Sequence, residues 1–384
     1  MAEVTRRKLF AVTGAVGAGG FAAGVALPRD SKGDATRQVA FYGAHQPGIE
    51  TPVQAQGWVT AFDLKPGTTV AELRTLMRSW TEIAATTMAG KPLPANDDAM
   101  AYGLGPGALT VTVGVGASLL TKLGPQVPEA LNPLPTFLND AIEPAASDGD
   151  LVLLVAANDG LVAVHALRAM QRSARATTTQ RWQINGFGEA RNLMGQIDGT
   201  GNPKPGTSAF AQTVYVPANG DPAWMRGGSF LVYRKIRMLL NDWDTLTRTQ
   251  QETVIGRDKV TGAPLSGGTE STAPDYEKFS ASGELLIPPG SHIRQASAEF
   301  NSGATILRRP FSYYNGQRAD GGPDAGLIFL AYQRDPSTGF TAIQQRLSGA
   351  DSLSTFIRHE ASGLFAILPG CAEGGYLGQR LLES

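Results

Sequence analysis

The stretch Gly57-Trp58-Val59-Thr60-Ala61-Phe62-Asp63-Leu64 decides how the fold is read, together with the segment over 70–88 that follows it after a short polar turn. The first run is rich in β-branched and aromatic residues, which suits a strand. In the second, Leu73, Leu76, Met77 and Trp80 recur on one side of a helical period. Working outward, Leu109-Thr110-Val111-Thr112-Val113-Gly114 reads as a strand, 117–123 as a short helix and 151–157 as an apolar strand. A helix is expected over 161–175 and a strand over 181–186. The order β, α, β, short helix, β, α, β is that of a ferredoxin-like α+β sandwich, an antiparallel sheet with helices on one face.

The same grammar returns more loosely in the second half. Gly228-Ser229-Phe230-Leu231-Val232-Tyr233-Arg234-Lys235-Ile236-Arg237 reads as a strand, and a short helix should run to Ile255, with Thr249 and Glu252 at capping-box spacing. A strand is expected over 327–332, a helix over 340–347 and a closing strand over 363–368. Between them lies a Gly-, Pro- and Ser-rich stretch over 256–322, and loops of that length in a compact domain usually carry function or are disordered. The expected organisation is therefore a signal segment and linker over 1–37, a first ferredoxin-like domain over 38–205, and a second over 206–384 with a large irregular insertion. Each domain should have its own antiparallel sheet.

The chain has 384 residues, long enough for two ordinary domains. Its net charge of −1, with acidic and basic residues interspersed, gives no electrostatic footprint for nucleic acid. The single cysteine, Cys371, excludes an intramolecular disulfide and a cysteine-based zinc site or iron–sulfur cluster. The four histidines, His45, His165, His292 and His359, show no paired helical spacing of the kind a zinc helix needs. Near the N-terminus, Thr5-Arg6-Arg7-Lys8-Leu9-Phe10 precedes an uncharged run to Leu27. A twin arginine before a weakly hydrophobic segment resembles a Tat signal peptide, which exports folded cargo; a membrane helix is the competing reading.

One loop concentrates the chemistry: Arg191-Asn-Leu-Met-Gly-Gln-Ile-Asp-Gly-Thr-Gly-Asn-Pro203. After its opening arginine it holds one ionisable side chain, Asp198, framed by Gly195, Gly199 and Gly201, so the backbone can turn tightly and approach a ligand. Asp-Gly is also a common turn dipeptide. The stretch resembles the Gly-x-x-Asp-Gly signature of the dye-decolourising (DyP-type) haem peroxidases, here Gly195-Gln196-Ile197-Asp198-Gly199, followed by Thr-x-Asn-Pro. The resemblance extends along nearly the whole chain after the first few dozen residues. Two places depart from the family pattern: Gln196-Ile197 stands where many members carry an aromatic and a lysine, and Ser297-Ala298 where Asn-Pro is common.

The resemblance implies one haem b per chain, bound mainly by the second domain. It makes His292, in Pro288-Pro289-Gly290-Ser291-His292-Ile293-Arg294, the proximal iron ligand, with His359 in Phe356-Ile357-Arg358-His359-Glu360 as the competitor. Such a ligand is made more basic by a carboxylate on its other ring nitrogen, and Asp324 is nominated for this, although it reads equally well as a turn residue. The segment Ile306-Leu307-Arg308-Arg309-Pro310 should supply the distal arginine. Adjacent residues on an extended chain point to opposite faces, so only one of Arg308 and Arg309 can serve. Arg308 is favoured, with Arg309 as the alternative. Arg294 and Arg257 are candidate propionate partners, Gly199 a point of close backbone approach, and Phe329 and Leu330 apolar lining.

The implied reaction is reduction of hydrogen peroxide through a ferryl porphyrin-radical intermediate, with Asp198 as proton carrier and oxidation of dyes, phenolics or similar one-electron donors. A carboxylate acts as base only when ionised, yet the delivered proton is most easily gained in acid, so turnover should be best at mildly acidic pH. Electrons from bulky dyes would enter through surface aromatics, with Trp224, Tyr313 and Tyr314 nearest the motifs. Two other classes stay open: a haem-handling protein that releases iron from haem or stores it, in the manner of deferrochelatase, and a non-catalytic sandwich whose motifs are turns. The expected location is periplasmic or extracellular, after passage through the Tat machinery, with an oligomer possible.

Overall fold

The computed structural model describes residues 35–188 and 190–383. The twin-arginine segment, the uncharged run and the first part of the expected linker lie outside the described residues. The first half follows the expected order: β1 (Gln56–Leu64), α1 (Val70–Met88), β2 (Thr110–Gly116), α2 (Ala117–Leu123), β3 (Leu151–Ala157), α3 (Gly160–Ala174) and β4 (Thr178–Phe187). Thr69 starts α1 by accepting a hydrogen bond from the Glu72 backbone while the Glu72 carboxylate accepts one from the Thr69 backbone, a complete capping box. Leu73, Leu76, Met77 and Trp80 are all buried, and each such side chain contributes roughly 1.5–3 kcal/mol on burial. Trp80 satisfies its indole N–H on the Met170 carbonyl of α3.

The second half runs α4 (Ser208–Val214), β5 (Ser229–Met238), α5 (Leu240–Trp243), α6 (Arg248–Ile255), α7 (His292–Ala296), β6 (Leu307–Arg308), β7 (Phe311–Gln317), β8 (Pro323–Gln333), α8 (Ala342–Ala350) and β9 (Ile357–Ile367). The capping box of α6 is Thr247 with Gln250, two residues before the expected pair, because Thr249 already lies inside the helix. The long insertion is not structureless: it carries α7, β6 and β7. Strand β9 begins at Ile357, so the segment around His359 is part of the sheet.

The ferredoxin-like α+β order holds, but the halves do not keep separate sheets. Among the described residues, all nine strands join in the order β5-β9-β2-β3-β1-β4-β7-β8-β6, and β5 also pairs with β8, so the sheet closes on itself. One seam pairs Gly114 with Ile367, Val115 with Ala366 and Gly116 with Phe365; the other joins Phe187 to Ser312. Gly114 is required at the first seam, since a Cβ there would lie 2.7 Å from Ile367 Cδ1 and 2.9 Å from Val152 Cγ1.

Closure gives the sheet an inside and an outside. Val59 and Ala61, Val152 and Leu154, Leu231 and Tyr233, Ile328 and Leu330, and Phe365 and Ile367 belong to one buried cluster that fills the interior. On the outside, α1 and α3 pack on each other and over β2 and β3. The outer faces of β5, β8 and β9 are left to the insertion and α8.

Two polar side chains are carried into this outer packing. Arg234 on β5 is 1% exposed, pairs with Asp140 at 2.6 Å, and lies over the rings of Phe137 and Phe340 at 5.2 and 5.4 Å. His359 on β9 is 3% exposed. Burial, and then the Arg234 cation, push its imidazole from 6.5 down to about 3. Because the folded value lies below the unfolded one, the unfolded chain binds the extra proton as pH falls from 6.5 towards 3, and the folded state loses stability across that window. The protein should therefore lose up to about 1.4 kcal/mol per pH unit through this one group. Urea titrations from pH 7 to 4 should show a shallower pH dependence for His359→Leu than for wild type, and equal slopes would contradict the assignment.

Candidate active site

Period-two alternation along the three strands composes one wall of a cavity. Leu327 and Phe329 of β8, Ile236 and Met238 of β5, and Ile357 and His359 of β9 all line it, and Leu327, Ile236 and His359 are register partners across the sheet. The cavity has a volume of about 420 Å³, within the range of small-molecule and cofactor sites. Its lining is mostly apolar, with a small set of polar side chains.

His292 opens the short helix α7 and faces this cavity. Its Nδ1 lies 2.7 Å from Asp351 Oδ2, and the Asp351 side chain is 2% exposed. A buried carboxylate on Nδ1 fixes the ring proton there and leaves Nε2 as the basic nitrogen. Asp351 is itself held in place: its other oxygen accepts from the Leu353 backbone at 2.9 Å, and the next residue, Ser352, donates its N–H to Gly290 O at 2.8 Å. The sequence nominated Asp324 for this role, and the structure corrects it. On β8, Asp324 falls on the same face as Ile328, opposite Leu327 and Phe329, and its carboxylate binds Lys235 at 2.9 Å and Asn315 at 3.2 Å.

The glycine-rich loop supplies Asp198, and β6 supplies Arg308. Gly195, Gly199 and Gly201 all have positive φ, at 81°, 84° and 84°, so the loop turns as the glycine spacing implies. Gly199 donates its backbone N–H to Asp198 Oδ1 at 2.7 Å. Arg308 reaches Asp198 at 3.5 Å and the Thr200 carbonyl at 2.8 Å, and both Asp198 and Arg308 line the cavity. Arg309 does not. Alternation turns it to the interior, where it is 4% exposed, bonds Gln54 and the Pro52 carbonyl, and has its guanidinium pushed down to about 10 by burial.

Asn202 is the residue that motif reading left without a task. Its carboxamide accepts from the Arg308 N–H at 3.1 Å and donates to the Arg308 carbonyl at 2.7 Å, so one side chain ties the Asp198 loop to the strand bearing the arginine. Of the two remaining arginines, Arg257 lines the cavity and is anchored on the Gly262 and Glu270 carbonyls, whereas Arg294 is turned to the Tyr276 carbonyl at 2.6 Å and over the Phe300 ring. Arg294 is thus withdrawn as a wall residue. Phe329 lines the cavity, while Leu330 points to the interior cluster. Gln196 and Ile197 both reach the wall, and the Gln196 Nε2 is buried without a partner among the described residues. Of the candidate surface aromatics, Tyr314 is 54% exposed, while Trp224 and Tyr313 are buried.

This donor set fits an iron macrocycle: a basic imidazole backed by a carboxylate, an acid beside an arginine, and otherwise apolar walls. Comparison with known proteins agrees. Residues 46–188 match the family model described as Dyp-type peroxidase, N-terminal, and residues 189–372 match Dyp-type peroxidase, C-terminal. The chain is 42% identical to a dye-decolorizing peroxidase of Thermobifida fusca over 362 residues, covering 88% of this chain and 84% of that one. It is 35% identical to a deferrochelatase of Escherichia coli (strain K12), covering 99% and 97%. The crystal structure of a DyP-type peroxidase from Streptomyces coelicolor superposes with a TM-score of 0.89 at 50% identity, covering 91% of this chain and 98% of that one. By these matches along both halves, the chain belongs to the Dyp-type peroxidase family and is a peroxidase.

Proposed function

We propose that this chain is a haem peroxidase that reduces hydrogen peroxide and oxidises dyes, phenolics or similar one-electron donors, with one haem b per chain. The observation that carries the reading is the convergence on one cavity of His292, backed by Asp351, and of Asp198 beside Arg308. Haem, when bound, supplies the redox-active iron. The second half would hold it, since the wall comes from residues 236–359 apart from the loop over 192–201. His292 Nε2 is the ligand nitrogen, and Arg257 is a candidate partner for the haem carboxylates.

Asp198 takes the proton from one peroxide oxygen and returns it to the other as the O–O bond breaks. The Arg308 guanidinium, steadied by the Thr200 carbonyl and the Asn202 clamp, stabilises the charge that develops on the departing oxygen. Phe329, Leu327 and Ile236 exclude water from the step. The twin arginine at Arg6-Arg7 supports export by the Tat route to a periplasmic or extracellular location. A second reading, release of iron from haem, is favoured by the identity to deferrochelatases over nearly the whole chain. Iron captured by a ferrous chelator while peroxide turnover is negligible would select that reading.

His292→Ala should lose or greatly alter the ferric Soret band of the haem-loaded protein in ultraviolet–visible spectra. An unchanged band and unchanged peroxide reactivity would transfer the ligand assignment to His359. Asp198→Asn should slow peroxide reduction by roughly 10²–10⁴-fold, read by stopped-flow absorbance, and the wild-type optimum should lie at mildly acidic pH. A loss under about ten-fold, or a flat or alkaline optimum, would remove Asp198 from the proton step.

A further inference from the structure

The cavity wall carries two side chains that peroxide itself can modify. Among the described residues, Met194 and Met238 are the methionines that line it, whereas Met77, Met88, Met170 and Met225 are packed into the large outer cluster. Met194 lies in the glycine-rich loop, four residues before Asp198, and Met238 ends β5 two residues after Ile236. They are 3% and 4% exposed, so the cavity they line is the route by which a solute meets them. Met194, Met238, Trp243 and Ile255 form one small buried cluster that joins the Asp198 loop to β5, α5 and α6. Trp243 donates its indole N–H to the Met194 carbonyl at 3.4 Å, and Asn192 Oδ1 accepts from the Met194 and Gln196 N–H groups at 3.0 and 3.2 Å. The cluster is thus the footing of the loop that carries Asp198.

Peroxide converts a methionine thioether to the sulfoxide and so turns a flexible apolar side chain into a polar one. A peroxidase brings peroxide to its own site, and here Asp198 and Arg308 share one cavity with both methionines. In the step the sulfur gives two electrons to peroxide. An S–O bond forms as the O–O bond breaks, and the other peroxide oxygen leaves as water with both hydrogens. A sulfoxide oxygen inside the cluster needs a hydrogen-bond donor. Ile255, Leu353 and Phe356 around it have apolar side chains, and the Trp243 N–H is already taken. The cluster must therefore open to water, and the Asp198 loop and the cavity wall loosen with it.

Resting on the haem reading of this cavity, we propose that Met194 and Met238 are modification sites, oxidised to sulfoxides when peroxide is turned over without a reducing donor. Their oxidation loosens the hold on haem and closes down the reaction. A donor that keeps pace with peroxide protects both residues, and reduction of the sulfoxides restores the wall. The pair acts as a reversible cut-out for excess peroxide.

The experiment treats the full haem-loaded chain with hydrogen peroxide, with and without a reducing phenol. Peptide mass spectrometry reads the oxygen gained at each methionine, and transfer to excess apomyoglobin reads the hold on haem. Met194 and Met238 should gain one oxygen at least about ten-fold faster than Met77, Met88, Met170 and Met225, and the phenol should suppress the gain. The partly exposed Met100 reports bulk peroxide and should be oxidised equally with and without the phenol. Oxidised wild type should release haem faster than untreated wild type, and methionine sulfoxide reductases should reverse the change. The double variant Met194→Leu/Met238→Leu, a swap of similar volume, should release haem at the same rate before and after peroxide, each sample being compared with its own untreated control. The proposal is overturned if either residue stays unoxidised during turnover, if the pair is oxidised no faster than the methionines of the outer cluster, or if oxidation leaves haem release unchanged. It is also overturned if peroxide alters the double variant as much as wild type. Wild type that takes up no haem would overturn the haem reading itself, whereas haem-loaded wild type with both methionines intact overturns this proposal alone.

Discussion

Side chains alternate across a strand, and closure of the sheet turns that alternation into a sorting rule. Where β5 pairs with β8, every residue of these strands is assigned either to the packed interior or to the outer face that the insertion covers. The rule separates Arg308 from Arg309 and places Leu327 and Phe329 in the cavity while sending Asp324 to Lys235. A register irregularity between Lys235 and Ile236 against β9 then lets His359 face the cavity while Glu360 joins Lys235 and Arg237. A one-residue slip in any of these pairings would exchange the cavity wall for the interior.

Against this rigid wall the reactive groups are mounted on irregular backbone, each tied down by a local contact. The Asp198 loop is fixed to β6 through the two-point clamp of Asn202 on Arg308. The His292 helix is fixed to the turn before β9 through Asp351 and through the Ser352 N–H to Gly290 O. Binding and chemistry can therefore depend on loops without those loops being loose. The charged groups that do not serve the cavity, Arg234 with Asp140 and Lys235 with Asp324 and Glu360, are paired, as groups taken out of water must be.

Much of this was legible from the residues. The α1 stripe and the strand and helix order of the first half announce themselves by local spacing, because propensity, periodicity and turn chemistry act over a few neighbours, whereas spacing alone reads the Gly-x-x-Asp-Gly loop as a turn and only its resemblance to a family signature marks it as a site. The opposition of Arg308 and Arg309 was also readable, since it needs only the period of two. What the sequence hid was non-local. Asp351 lies 59 residues from His292 and becomes its partner only through the tertiary fold. The merging of the two sheets rests on a few seam pairs that carry no motif, and the choice of Asp324 failed because a residue near a strand end does not declare its face until the register is known. Arg294, two residues from His292 in the chain, is drawn away by Tyr276 and Phe300.

The central claim is that His292 Nε2 is the iron ligand and that Asp351, on the other ring nitrogen, governs its basicity. It is tested most directly by the iron–histidine stretching band in resonance Raman spectra of the ferrous, haem-loaded protein, compared among wild type, Asp351→Asn and Asp324→Asn. The account predicts a band that moves to lower frequency in Asp351→Asn and stays at the wild-type position in Asp324→Asn, because only the first carboxylate touches the ring. A band unmoved by Asp351→Asn, or one that follows Asp324 instead, would contradict it.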